Sequence, residues 1–348
     1  MVVYTGGSAS IKYGYEGTLD SEGMISSSPT FGTKSDTITN IFGINQKVTN
    51  LTLNTGRIDL NKIGQIEPTK FAYGQQGGNV SVGFVWDGEE SYKIWASLYK
   101  TPSGTAAGWV FPAGSSTPFS HSTSPTAPHS LTTQIQVNTS AAVLTRTLRG
   151  CIVNSLGIST SVGEVVNGTV DMTFAQESTA DVADAGAFVT QTGAGDQIGT
   201  PYTFAHGVLQ TTTGDGASLA TVAEVQDIDI TFASNAELLW ELGSHYGVSA
   251  FRKIFDISGR MRATFNDEKM LQYVIDQSII GTETETIADD DGVGMTLTFT
   301  NGNRSITLEF GGVSFGDHST TGIEPSEVIF EEINWKCKAA RVKVDTTA

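Results

Sequence analysis

Residues 225–265 read VQDIDITFASNAELLWELGSHYGVSAFRKIFDISGRMRATF. Ile228, Ile230 and Phe232 alternate with Asp227, Asp229 and Thr231, the period of two that marks a strand with one buried face. Residues 236–242, rich in Ala, Glu, Leu and Trp, read as a short helix, with Asn235 placed to cap it. Residues 257–265 return to strand alternation. A weaker copy lies upstream at residues 48–84, VTNLTLNTGRIDLNKIGQIEPTKFAYGQQGGNVSVGF. There Val48, Leu51 and Leu53 fall on Val225, Ile228 and Ile230, and Ile63-Gly64 falls on Leu242-Gly243. Gly78 and Phe84 fall on Gly259 and Phe265. Further on, Ile135, Val137, Leu144, Leu148 and Gly150 fall on Leu297, Phe299, Ile306, Phe310 and Gly312. A unit used twice decides the fold class: mainly β, as two tandem units.

The bulk numbers agree. At 348 residues the chain has length for roughly two domains. Hydrophobic residues make up 39% and charged residues only 16%, with 39 glycines and abundant Thr and Ser, which suits strands and turns rather than disorder. The 37 acidic against 20 basic residues give a net charge of −17, which repels phosphate and excludes a conventional basic nucleic-acid surface. An acidic wall past which DNA slides is compatible with that charge, as is adaptation to high salt. Cys151 and Cys337 are too few for a disulfide framework or a zinc site. The N-terminus lacks a basic segment followed by an apolar run, and no apolar stretch approaches the ~20 residues of a membrane span. The chain is therefore expected to be soluble and made in a cytoplasm.

Taken in order, residues 1–45 are Gly/Ser/Thr-rich with scattered Tyr4, Tyr13, Tyr15, Phe31 and Phe42, and read as an extended arm that orders on a neighbour. Residues 46–175 form the first β unit. Within it, 55–63 reads as a short turn or helix, and Ile94, Trp95 and Leu98 mark one face of a short helix. A long Pro-containing loop occupies 101–130. Residues 176–200 have no period and read as a linker. Residues 201–340 form the second β unit, with a helix whose apolar stripe is Met270, Leu271, Val274 and Ile275, and a hairpin signalled by Asn301-Gly302. Residues 341–348 read as a polar tail.

Catalytic patterns are missing. Gly312-Val-Ser314-Phe-Gly316 matches the nucleophile-elbow spacing, but strand pattern lies on both sides and His318 is too near to serve as the base. His121, His129, His206, His245 and His318 form no metal-ligand pattern, and the chain is read as no enzyme, with no cofactor and no metal site. Glu283 and Glu285, with Asp289, Asp290 and Asp291, form an acidic loop without the spacing of a calcium site, and are expected to face solvent or a lumen. Arg252, Lys253, Arg260 and Arg262 cluster on the repeated unit. Arg260 and Arg262 share one strand face, which makes the four a candidate subunit interface.

The order of Cys151-Ile-Val-Asn-Ser155, Val162-Gly-Glu164, the 168–174 strand, Pro201-Tyr-Thr-Phe204, the 225–232 strand, residues 236–243, the 259–265 strand and Glu324-Pro325 resembles the tail tube proteins of long-tailed (siphovirus-like) bacteriophages and related archaeal viruses. The likeness is diffuse and covers most of the chain from about residue 40. Val165-Val166 follow Glu164 where Glu324 is followed by Pro325. The resemblance implies β-sandwich or barrel domains, each flanked by a short helix, in a virion structural protein. It implies rings of sixfold character stacked into a hollow tube through which DNA passes without specific binding. Two tube domains in one chain imply a trimeric ring with pseudo-sixfold symmetry. A tape measure protein and tail terminator and distal tail proteins are the implied partners. The remaining alternatives are another tail or virion β-protein, a carbohydrate-binding or adhesin-like β-protein, and a hydrolase built on Ser314. The last two lack an export signal and a convergent Ser/His/acid set.

Overall fold

The computed structural model describes residues 9–17, 31–35, 38–60, 70–88, 91–99, 103–105, 108–111, 129–138, 143–179, 200–212, 219–221, 225–264, 269–280, 293–321 and 328–345. Alternating apolar residues form its strands. The first half runs β1 (Ala9–Tyr15), β2 (Ile44–Asn54), β3 (Arg57–Leu60), β4 (Lys70–Tyr73) and β5 (Gly77–Val85). A 3-10 turn at Ser91–Ile94 leads into α1 (Trp95–Leu98). Then come β6 (Ser103–Thr105), β7 (Gly108–Phe111), β8 (Leu131–Asn138), β9 (Val143–Ser161), β10 (Asn167–Phe174) and β11 (Gln176–Ser178). The second half runs β12 (Gly207–Thr212), β13 (Leu219–Thr221), β14 (Val225–Ala233), β15 (Glu237–Leu239), β16 (Ser249–Phe251), β17 (Asp256–Thr264), α2 (Lys269–Ile275) and β18 (Ile279–Ile280). It ends with β19 (Met295–Asn301), β20 (Arg304–Gly311), β21 (Val313–Thr321), β22 (Phe330–Cys337) and β23 (Ala339–Asp345).

The fold is mainly β. One sheet orders its strands β18-β21-β22-β17-β14-β9-β10-β5-β2, with β1, β8 and β11 branching from the first part of β9. A second sheet orders β13-β12-β19-β20-β23-β7-β6. The ladders of the two halves match residue by residue. Leu51 faces Val80 and Val80 faces Met172, as Ile228 faces Met261 and Met261 faces Ile333. Ile135 lies between Ile11 and Arg146, as Leu297 lies between Leu209 and Leu308. Strand β9 serves two groups: its first part pairs with β8 and β11, its second with β10 and β14. The change of direction falls at Gly150, whose φ of +61° lies in the left-handed region that glycine enters without strain. In the second half the same bend, at Gly312 with φ +59°, separates β20 from β21.

The halves join along β9 and β14, antiparallel from Asp227 opposite Ser161 to Ala233 opposite Ser155. An aromatic seam crosses the joint. Tyr13 stacks on Phe42 at 4.5 Å, Phe84 meets Trp86 at 5.3 Å, and Trp86 stacks on Trp95 at 5.8 Å. Trp95 then meets Phe232 edge-on at 4.9 Å, and Phe310 meets Trp335 at 4.9 Å. One hydrophobic cluster therefore runs from Ile11 to Val344.

Several sequence expectations change. Residues 9–15 are a core strand, not part of an arm: Ile11, Tyr13 and Tyr15 point inward at alternate positions, and the Tyr15 hydroxyl donates to the Lys93 carbonyl. Gly14, between Tyr13 and Tyr15, weakens the alternation as read from the sequence. Residues 341–345 are not tail, because Val342 and Val344 are buried in β23. The 101–130 segment carries β6 and β7, and β7 extends the second sheet by pairing with β23; residues 112–128 lie outside the described residues. So do 180–199 of the expected linker, whose first residues form β11. Of the turn or helix expected at 55–63, Arg57–Leu60 is strand β3, paired with β4, and 61–63 lie outside the described residues; the helix expected at 236–242 is instead strand β15 of the β15–β16 hairpin. At 236–242, Leu238 packs on Ile152, Ala175 and Ala250 while Glu237 and Leu239 face out, so tertiary burial imposes a period of two on good helix formers. Asn235 caps nothing: its φ is +47° and its amide donates to the Ile254 carbonyl at 2.8 Å.

Candidate assembly surfaces

Strand alternation gives the large sheet an outward face opposite the core. In the second half that face is charged. Arg260 on β17 projects between β14 and β22. It donates to Asp229 at 2.7 Å and lies 3.5 Å from Asp227 and 3.4 Å from Glu332. The hydrogen bond that Arg260 donates to Asp229 holds the guanidinium above its ordinary pKa, while partial burial pushes the Asp227 carboxyl up against the pull of Arg260. Arg262 lies 4.4 Å over the Phe330 ring, and Lys336 pairs with Asp256 at 3.1 Å. In the first half the same face is mostly hydroxyl and amide. Thr173 donates to Asn79 at 3.0 Å and accepts from Asn154, and Ser155 donates to Asp171 at 2.8 Å.

The four basic residues singled out in the sequence separate. Arg260 and Arg262 do share a face, but Arg260 already pairs with acids of its own chain. Arg252 points inward: its enclosed guanidinium donates to the Ser97 carbonyl, and burial lowers its pKa to about 10. Lys253 pairs with Glu237 at the base of the β15–β16 hairpin. The acidic loop residues Glu283, Glu285, Asp289, Asp290 and Asp291 lie outside the described residues.

A buried carboxylate escaped the sequence reading. Glu16 accepts from the Gly32 and Gly150 amides, each at 2.7 Å, and from the hydroxyls of Ser130 at 2.7 Å and Thr132 at 3.0 Å. Burial pushes its pKa up despite these donors. It ties the end of β1 to the bend in β9, which is a structural role. A lone acid in a Gly/Ser-rich stretch gives no sequence signal of this. Ser314, the expected false elbow, sits in β21 opposite Ile279 and Lys336. Among the described residues no three His, Cys, Asp or Glu side chains are grouped to hold a metal, and no helix is long and apolar enough to cross a membrane. The enclosed space between the halves, beside Trp86, Ile158, Tyr202 and Phe299, measures about 10 Å³, room for at most one water.

The edges and hairpins are more informative. Strand β2 has β5 on one side, and its other side is open among the described residues. There Leu53 is 46% exposed, whereas Ile228 and Ile230 on β14 are 2% and 1% exposed under β9. At the other end of the sheet β21 is flanked by β18 only at Val313 and Ser314. The β15–β16 hairpin leans on the first half, where the Gln76 amide donates to the His245 carbonyl at 2.7 Å. Leu239, Leu242, Tyr246 and Ile254 on and beside it remain exposed.

Open sheet edges and a hairpin with exposed apolar side chains are surfaces that another protein chain can cover. No curated protein matches the chain. The family model described as "Phage tail tube protein" matches residues 14–337. The chain belongs to the phage tail tube protein family, as a structural component of a virion.

Proposed function

We propose that this chain forms stacked rings that make the hollow tail tube of a long-tailed virus, and that viral DNA passes through the bore without specific binding. The observation that carries this is the single sheet crossing both halves, with one face on the core and the other polar across its width. In a ring that polar face lines the bore. The chain's net charge of −17 then keeps phosphate from adhering. The matching ladders support two tandem tube units per chain, one built on β1–β11 and one on β12–β23, so that three chains close a pseudo-sixfold ring. Glu283, Glu285, Asp289, Asp290 and Asp291 are assigned by this reading to the bore or its rim. Tape measure, tail terminator and distal tail proteins are the partners, the site of action is the virion tail, and synthesis is in the host cytoplasm.

Negative-stain microscopy of the purified protein tests the reading. Rings or tubes with a central channel are expected, and monodisperse monomers at high concentration overturn it. Native mass spectrometry counts the chains: three per ring are expected, and six overturn the pseudo-sixfold arrangement. Lysine at Asp289, Asp290 and Asp291 is expected to slow DNA ejection, and unchanged ejection removes that loop from the bore.

A further inference from the structure

We propose that Arg252, His129 and Tyr99 form the donor side of a site between the two halves that takes a free tetrahedral oxyanion of the phosphate or sulfate class. The site does not depend on the ring reading.

Three segments meet there. The first half supplies Ser97 and Tyr99 at the end of α1, and His129 ahead of β8; the second supplies Arg252, the residue after β16. A guanidinium carries five N–H donors, and one of those on Arg252 donates to the Ser97 carbonyl. Its Nε–H is enclosed and meets no acceptor among the described residues. The Tyr99 hydroxyl and His129 Nδ1 are enclosed and unpartnered in the same way. The three groups lie near enough to sense one another. Beyond the effect of burial, Arg252 lowers the His129 pKa, and Tyr99 favours the charged form of Arg252. A buried polar group without a partner is costly, and a buried charge more so. Several such groups in one small region are satisfied together by one ligand with several acceptors.

Among the described residues no acid does this. Arg146, Arg260 and Arg341 each pair with a carboxylate, those of Glu177, Asp229 and Glu309. Arg252 has a carbonyl and a phenol instead. Asp256, the acid nearest to it in sequence, is held by Lys336 at 3.1 Å. The stretch that carries Ser97, Tyr99 and His129 runs from residue 91 to 163 without an Asp or Glu, in a chain of net charge −17. The local surplus is of donors and positive charge. Guanidinium and phenol O–H groups donate, as does a protonated Nδ1, and an oxyanion accepts from several of them at once. Arg252 and His129 each keep part of their surface open, which gives a small ion a way in, while Tyr99 forms the floor at 6% exposure. An anion there also favours the imidazolium of His129, so binding and protonation reinforce each other.

Isothermal titration of the full chain with inorganic phosphate, and with sulfate at matched ionic strength, tests the site. Saturable binding of one anion per chain is expected, weakened at least ~tenfold by Arg252→Gln and less by Tyr99→Phe, which keeps the ring and removes one donor. These anions stabilise folded proteins generally, so a rise in unfolding temperature is not the readout. Should Arg252→Gln fail to fold, Tyr99→Phe and the wild-type imidazole still decide. By NMR, sulfate should move the His129 titration up from about 4, and chloride at the same ionic strength should not. No saturable binding, equal binding by wild type and either variant, or a His129 titration that sulfate leaves where chloride does, each overturns the site. Acetate bound as tightly as sulfate overturns the tetrahedral ion in favour of a carboxylate, such as an Asp or Glu of a partner chain carries.

Discussion

In the first half Gly78 lies under the ring of Phe174, its partner across the ladder; in the second, Gly259 lies under the ring of Trp335 in the same way. A Cβ on Gly78 would come 2.0 Å from the Thr52 carbonyl and 2.4 Å from the Phe174 ring. One on Gly259 would come 2.3 Å from the Trp335 ring and 2.8 Å from the Asp229 carbonyl. The halves thus keep one backbone solution, a glycine that lets an aromatic ring lie flat on the sheet. They differ on the outward face, mostly hydroxyl and amide around Asn79 and Thr173, with Asp171 accepting from Ser155, but a network of ion pairs around Arg260. Packing constrains the inner face of a β ladder, while the outer face is free to diverge.

The comparison can be broken in order of expected effect. Gly78→Val and Gly259→Val should each cost about 3 kcal/mol or more in urea unfolding. Gly78 should be the worse, because backbone rather than a ring edge blocks the new atoms. A neutral result at either site ends the equivalence. Glu16→Ala strips four donors of their acceptor and should cost about 3 kcal/mol, with Glu16→Gln milder. Acid follows. Burial, with Arg252 adding to it, pushes His129 down to about 4. The unfolded chain therefore binds a proton that the folded chain refuses. Stability present above pH ~6.5 should fall as pH drops toward 4, by about 2 kcal/mol, and His129→Gln should remove that loss. Glu16, raised by burial, runs the other way and offsets part of it. Smallest is Arg260→Met: its pairs are half-exposed, so unfolding should shift by no more than about 1 kcal/mol, and less in high salt.

The strands were legible where alternation is clean. Residues 225–232, 295–300 and 305–310 lie where the period of two places them, and the turn at Asn301-Gly302 gives a hairpin with Asn301 facing Arg304. Legibility failed where tertiary contact overrode local preference. Residues 236–242 carry helix formers, but Leu238 is pulled onto Ile152 and Ala175 of the other half. Strand β1 was obscured because Gly14 sits between Tyr13 and Tyr15 and its partner β8 is distant in sequence. The same holds for Arg252, which the sequence placed on a surface. Its proximity to Ser97 follows from how the second half leans on the first, and no periodicity encodes that.

The β9–β14 joint has a mechanical consequence. Ladder hydrogen bonds point across strands, along the path from β2 to β21, so a force that widens the sheet meets them end-on. At the joint that load is shared between the ladder and the aromatic seam behind it, where Trp95 presses on Phe232. In the ring proposed above, the joint inside each chain would resist radial expansion as a segment of a hoop does.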